Sequence, residues 1–357
     1  MSKPQLKIEP RVSHLAAVQP GAESASAKTA STALLVVAFA AVYLIWGSTY
    51  LAIKYAIGTL PPFLMAGSRF LIAGSMLFTW ARIRGARPGG QKPFQAWRRA
   101  FVIGALLLLG GNGGVTWAER YLSSGLAALL VASEPLWVVM WNWISGGSRP
   151  NAKASLGLIT GLAGVGLLVS GGFGASQAST TMSLLGAGAV IIATMSWAGG
   201  SVYSIHRPVQ ASAPLASGMQ MLSGGACLLL LGLFTGEFSR LDLKQASWLS
   251  LGALLYLIVF GSIVAFTAYS YLLRNVSPAR AATYAYVNPV VAVLLGWALA
   301  NEPVTPRMVI AAAVIVASVV LITTYGKERG KEKGAEVSVR GPDPSPDTDP
   351  CPTHPCA

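Results

Sequence analysis

A few polar side chains lie in long apolar stretches of this chain: Glu134 in LLVASEPLWVVMW (129–141), Arg69 in PPFLMAGSRF (61–70) and Asn288 in AYVNPVV (285–291). A carboxylate with such neighbours is untenable in hydrocarbon, so it must take up a proton, pair with a cation or face a wet cavity. Counted from Ser123, where its apolar run begins, Glu134 lies about 16 Å along a helix, close to the middle of a bilayer. That depth suits a proton-coupling group, with a structural hydrogen bond between helices as the alternative. Arg69 sits about two turns into its own run and is the natural counter-ion. Three uses of it stay open: a pair with Glu134, a grip on a substrate carboxylate while Glu134 takes an amine, or snorkelling to the nearer surface. Asn288 falls at matching depth in a later run. Pro135 and Pro289 follow Glu134 and Asn288, and each removes a helix hydrogen bond, so a helix break with a freed carbonyl is expected at both.

Aromatic and amide groups complete the candidate constellation. Trp46, Asn112, Trp197 and Tyr284 lie deep in their runs and are candidate substrate contacts beside Arg69, Glu134 and Asn288. Trp117 and Tyr203 lie near run ends, where an interfacial belt explains them, and Trp137, Trp141 and Trp143 read as packing or belt. GGNGG (110–114) has no following Lys with Ser or Thr, so it is no phosphate loop, and its glycines suit close helix packing. No spacing of His, Cys and carboxylates suits catalysis or a metal; Cys351, His354 and Cys356 form a Pro-rich tail motif short of a fourth ligand. No cofactor, no metal and no enzymatic activity are expected.

The elements that must position these residues follow from composition. The chain has 357 residues, 53% hydrophobic and 11% charged, against roughly a quarter charged in a soluble domain. About 20 apolar residues cross about 30 Å of hydrocarbon, and ten such runs can be drawn: 33–53, 62–81, 100–118, 123–145, 154–172, 182–203, 214–236, 246–272, 279–300 and 308–325. The fold class expected is an all-α polytopic membrane protein. Of 26 Lys and Arg, only Lys54, Arg120, Arg240, Lys244 and Arg307 fall on one side; with Arg69 inside a run, the other twenty share the side of both tails. That bias places both termini in the cytoplasm. The net charge of +13 is spread over short loops and tails, which argues against nucleic acid as a partner. Residues 1–32 and 326–357 are polar tails expected to be disordered.

The chain also repeats itself. A shift of about 150 residues lays Trp46 of LIWGSTY over Trp197 of MSWAGGSVY, Pro62 over Pro214, and Glu134-Pro135 over Asn288-Pro289. Each half, 33–172 and 182–325 with a linker at 173–181, holds five runs. An odd number per half forces the second half to be inverted relative to the first, giving ten transmembrane helices as two inverted five-helix repeats. LIWGSTYLAIKYAIGTLPPFLMAGSRFLIAG, with the later EP and NP segments, resembles the EamA-type permeases of the drug/metabolite transporter superfamily. That resemblance implies a cavity between the repeats and outward movement of small metabolites, amino-acid-like or amphipathic, across an inner membrane. The expected partners are a small-molecule substrate and the lipid bilayer. Proton coupling through Glu134 is the leading mechanism; an uncoupled facilitator is the alternative, and an intramembrane scaffold or enzyme is disfavoured.

Overall fold

The computed structural model describes residues 32–146, 149–169, 180–276 and 284–325, and every regular element among them is helical. In chain order these are α1 (Thr32–Ala56), α2 (Pro62–Ile83), α3 (Pro93–Ala118), α4 (Ser124–Ile144), α5 (Ala152–Val169), α6 (Thr180–His206), α7 (Ala213–Phe234), α8 (248–275), α9 (Tyr284–Ala300) and α10 (Pro306–Tyr325). Seven of them (α1 to α4 and α6 to α8) are long and apolar enough to cross a membrane, while α5, α9 and α10 carry shorter apolar stretches among the described residues. The Cys351, His354 and Cys356 motif and both tails lie outside those residues.

Local chemistry explains the ends. Proline occupies the first turn of α2, α3, α7 and α10, where its missing N–H costs least. Ser123 accepts from the Leu126 N–H at 3.3 Å and Ser247 from the Ser250 N–H at 3.0 Å, capping α4 and α8. Because Pro93 starts α3, that helix begins seven residues before the apolar run does, and Arg99 rides on it to donate to the Pro208 carbonyl at 2.8 Å.

Three helices are locally widened to π geometry, at Val42–Trp46 in α1, Ala105–Gly113 in α3 and Leu257–Val264 in α8. Such bulges recur at functional sites because they turn carbonyls and side chains out of helical register. α4 breaks at Ala132 and Ser133, just ahead of Pro135. The break expected at Pro289 is not present among the described residues: α9 runs unbroken from Tyr284 to Ala300 with Pro289 inside it. Pro289 deletes one hydrogen bond of that helix without interrupting it.

Helices pack in a regular pattern: α2 on α7, α5 on α10, α4 on α9, α1 on α8, and α3 on α6. The α2–α7 contact is made by glycines. A Cβ at Gly218 would stand 2.7 Å from the Phe78 backbone nitrogen, and one at Gly74 would stand 2.8 Å from the Met221 Cβ. The outward faces carry large apolar side chains such as Val37, Met76, Ile159, Ile192 and Leu230, all exposed, which water would penalise and lipid accepts.

Candidate substrate cavity

The widened and broken segments converge on one cavity. Trp46, Thr49 and Tyr50 reach it from α1, Arg69 and Phe70 from α2, and Gly111 and Asn112 from α3. Glu134 enters from α4, Thr194 and Trp197 from α6, Gly261 and Phe266 from α8, and Tyr284 and Asn288 from α9. All seven residues singled out as substrate contacts in the sequence, Trp46, Arg69, Asn112, Glu134, Trp197, Tyr284 and Asn288, therefore line the same space. Its volume is about 80 Å³, room for water but well under the roughly 300 Å³ at which ligand pockets begin. A metabolite can occupy it only if the helices part.

Aromatic rings form part of the wall, and Tyr269 packs behind it. Trp46 meets Trp197 edge-on at 6.0 Å and Tyr284 at 5.1 Å, and Tyr269 stands 4.9 Å from Trp46 and 5.6 Å from Tyr284. The Trp46 indole N–H donates to the Gly261 carbonyl at 3.2 Å, inside the π stretch of α8. Trp197, also on the wall, has a buried indole N–H without a partner among the described residues.

The polar groups are held from opposite halves of the chain. Tyr284 donates its hydroxyl to Glu134 Oε2 at 2.5 Å, a bond between α9 and the broken point of α4. Arg69 does not pair with Glu134, and it does not snorkel: it is 3% exposed, and its Nε donates to the Ser262 hydroxyl at 2.8 Å. Its Nη1 has no partner among the described residues. A buried guanidinium with an idle donor is ready for an acceptor from a ligand. Gly261 makes room for it, since a Cβ there would come within 2.9 Å of Arg69 Nη2. Asn288, with its amide nitrogen turned toward them, donates to the carbonyls of Tyr284 at 3.2 Å and Tyr43 at 3.1 Å, so it braces the π stretch of α1. Asn112 accepts from the Thr116 hydroxyl at 3.4 Å. Trp141, away from this wall, donates to the Met195 carbonyl at 3.0 Å and ties α4 to α6.

One end of the bundle, which carries Lys54, Arg120, Arg240, Lys244 and Arg307 and is sparse in basic residues, is closed by two carboxylates. Glu302, between α9 and α10, pairs with Lys54 at 2.7 Å and accepts from the Ser124 N–H at 2.9 Å, the Ser124 hydroxyl at 2.8 Å and the Gly125 N–H at 3.2 Å. Burial works against its charge, but the Lys54 ammonium and the Ser124 and Gly125 N–H groups outweigh it and hold the carboxyl below its ordinary value. Glu237, after α7, accepts from the N–H groups of Phe63 and Leu64, both at 2.9 Å, and so caps α2. Neither carboxylate stands out in the sequence. Each follows an apolar run by a few residues and reads as an ordinary loop charge.

A multispan helical membrane protein with a polar, aromatic-walled cavity between its halves is a transporter architecture. The chain belongs to the EamA-like transporter family, whose model matches it twice, over residues 32–170 and 184–324. It is 41% identical over 286 residues, 79% of its length and 88% of the relative's, to the uncharacterized inner membrane transporter YedA of Escherichia coli K12. It is 26% identical to the uncharacterized transporter YvbV of Bacillus subtilis, covering 86% of this chain and 95% of that one. With the chloroplastic WAT1-related protein At3g02690 of Arabidopsis thaliana it shares 27% identity over 78% of this chain and 67% of the relative. One protein of known crystal structure superposes with a TM-score of 0.58 at 21% identity, covering 83% of this chain and 99% of that one, a likeness of fold alone. The chain is accordingly a membrane transporter and not an enzyme.

Proposed function

We propose that this transporter exports small organic metabolites, amino-acid-like or amphipathic, by alternating access, and that protons moving inward through Glu134 drive it. The observation that carries this reading is the presence in one cavity of Glu134, held by Tyr284, and of the separate, idle Arg69 donor, both buried. An acid, a base and apolar walls suit a solute with charged and apolar parts. The small volume supports alternating access, because the site must open to load and to release.

The proposal includes ten crossings in two inverted halves, with both termini in the cytoplasm of a bacterial-type inner membrane. Helix pairing supports two matched halves: α2, α4 and α5 each pack on the helix five places later, and the α1–α8 contact is answered by α6–α3. A two-fold axis between the halves produces that pattern, and five crossings per half would make the relation an inverted one. The basic-residue bias then puts the Lys54–Glu302 end outside. The test is efflux of a labelled amino-acid and metabolite mixture from sealed vesicles containing the full chain. Saturable efflux of one solute class that is accelerated by an inward proton gradient is expected. Efflux equal to that of protein-free vesicles for every solute would overturn the reading.

A further inference from the structure

Glu119 is a buried carboxyl near the cavity that takes no part in the bonding around Glu134 and Arg69. It lies one residue past the end of α3 and is 3% exposed, and neither of its carboxylate oxygens has a hydrogen-bond partner among the described residues. Its own N–H bonds the Val115 carbonyl at 3.0 Å, one turn from a residue that lines the cavity. The charged groups within electrostatic reach are Lys54 on α1, Arg69 on α2 and Glu302 between α9 and α10. α6, packed along the same stretch of α3, meets it with Gly186, Ala187, Ala189, Val190 and Ala193, none of them titratable. Arg120 beside it turns outward over the Tyr121 ring.

An ionised carboxylate so enclosed needs a hydrogen-bonded counter-ion, and no described residue supplies one. Lys54 is bonded to Glu302, and Arg69 is anchored at Nε by Ser262 while its idle Nη1 makes no bond to Glu119. A protonated carboxyl buries far more cheaply. If the helices part and release Lys54, or let Arg69 swing across, the same carboxyl gains a counter-ion and can ionise. Proton occupancy at Glu119 is therefore tied to conformation. Tyr50, on the cavity wall, lies within electrostatic reach of both Glu119 and Glu134.

We infer that Glu119 is a second proton-carrying carboxyl, standing on the route by which protons pass between the sparsely charged end of the bundle and Glu134. The transfer is balanced without any co-reactant. The Glu119 carboxyl loses its proton and becomes a carboxylate beside Arg69 and Lys54, while the Glu134 carboxylate gains one, with the Tyr50 hydroxyl and cavity water as carriers. Only this second step rests on the reading of Glu134 as the coupling group.

The test is infrared spectroscopy of the full-length protein in phospholipid vesicles at neutral pH, where exposed carboxylates are ionised and a buried protonated carboxyl shows a separate C=O band. Glu119→Gln is expected to lose one component of that band and Glu134→Gln to keep it. Glu119→Asp, which retains the carboxyl should the amide variant fold poorly, is expected to shift the component. A band unchanged by both Glu119 variants would overturn the inference. Failure of the Glu134 reading looks different: Glu134→Gln would then respond to a proton gradient as wild type does, while the Glu119 band persisted.

Discussion

Arg69 and Gly261 show how finely a buried cation is accommodated in this bundle. The guanidinium is anchored at Nε by Ser262, and its far end lies against a residue with no side chain. In Gly261→Ala the new methyl would sit 2.9 Å from Nη2 and 3.0 Å from the Thr49 methyl. The side-chain end can yield, so the protein should fold, but the idle donor is displaced. We expect transport to fall about tenfold with thermal stability within about 1 kcal/mol of wild type, the pattern of a misplaced binding group. Parallel efflux and thermal-unfolding measurements would check it. Trp46, Arg69, Asn112, Glu134, Trp197, Tyr284 and Asn288 were legible as candidates because a polar or aromatic residue inside an apolar run needs a partner. Their partners were not. Whether Arg69 meets Glu134, Ser262 or a ligand depends on helix rotation, which sequence spacing leaves free.

Among the helices, close contact and end caps do different work. Gly74 and Gly218 let α2 and α7 approach until backbone nearly meets backbone, the contact on which packing in a membrane depends when no hydrophobic force separates helix from lipid. In Gly218→Ala the obstacle is the Phe78 backbone, which cannot rotate away. A loss of about 1–3 kcal/mol is expected, read as a lower unfolding midpoint in detergent. The Glu302 contact to Lys54 and the start of α4 is electrostatic and so depends on pH. Its carboxyl is held below the ordinary value of 4.5, so its contribution is complete above that value and disappears as pH falls through the lower folded one. The thermal midpoint should drop on acidification below about pH 4.5 in wild type and drop less in Glu302→Gln. Helix starts were readable from proline and serine. The π stretches in α1, α3 and α8 were not, because a one-residue widening leaves no mark on an apolar run, and at Pro289 the helix continues because the loss of one hydrogen bond need not break it.

At the scale of the whole molecule, the doubled sequence and the cavity belong to one idea. Trp46 and Trp197, which a shift of about 150 residues lays on each other, meet edge-on in the cavity wall, and Glu134 and the helix of its counterpart Asn288 are joined through Tyr284. A site assembled from equivalent points of two matched halves can be exposed to either side by rocking one half against the other. The halves are not chemically equal, since a carboxylate stands in one and an amide in the other. That inequality is the reason the proposed proton coupling is placed at Glu134 and not at Asn288. The most direct measurement is solute efflux from sealed vesicles with and without an inward proton gradient, comparing wild type with Glu134→Gln. The gradient is expected to accelerate wild-type efflux several-fold, and the variant to lose this response while still exchanging solute for solute. A variant that responds to the gradient as wild type does would contradict it.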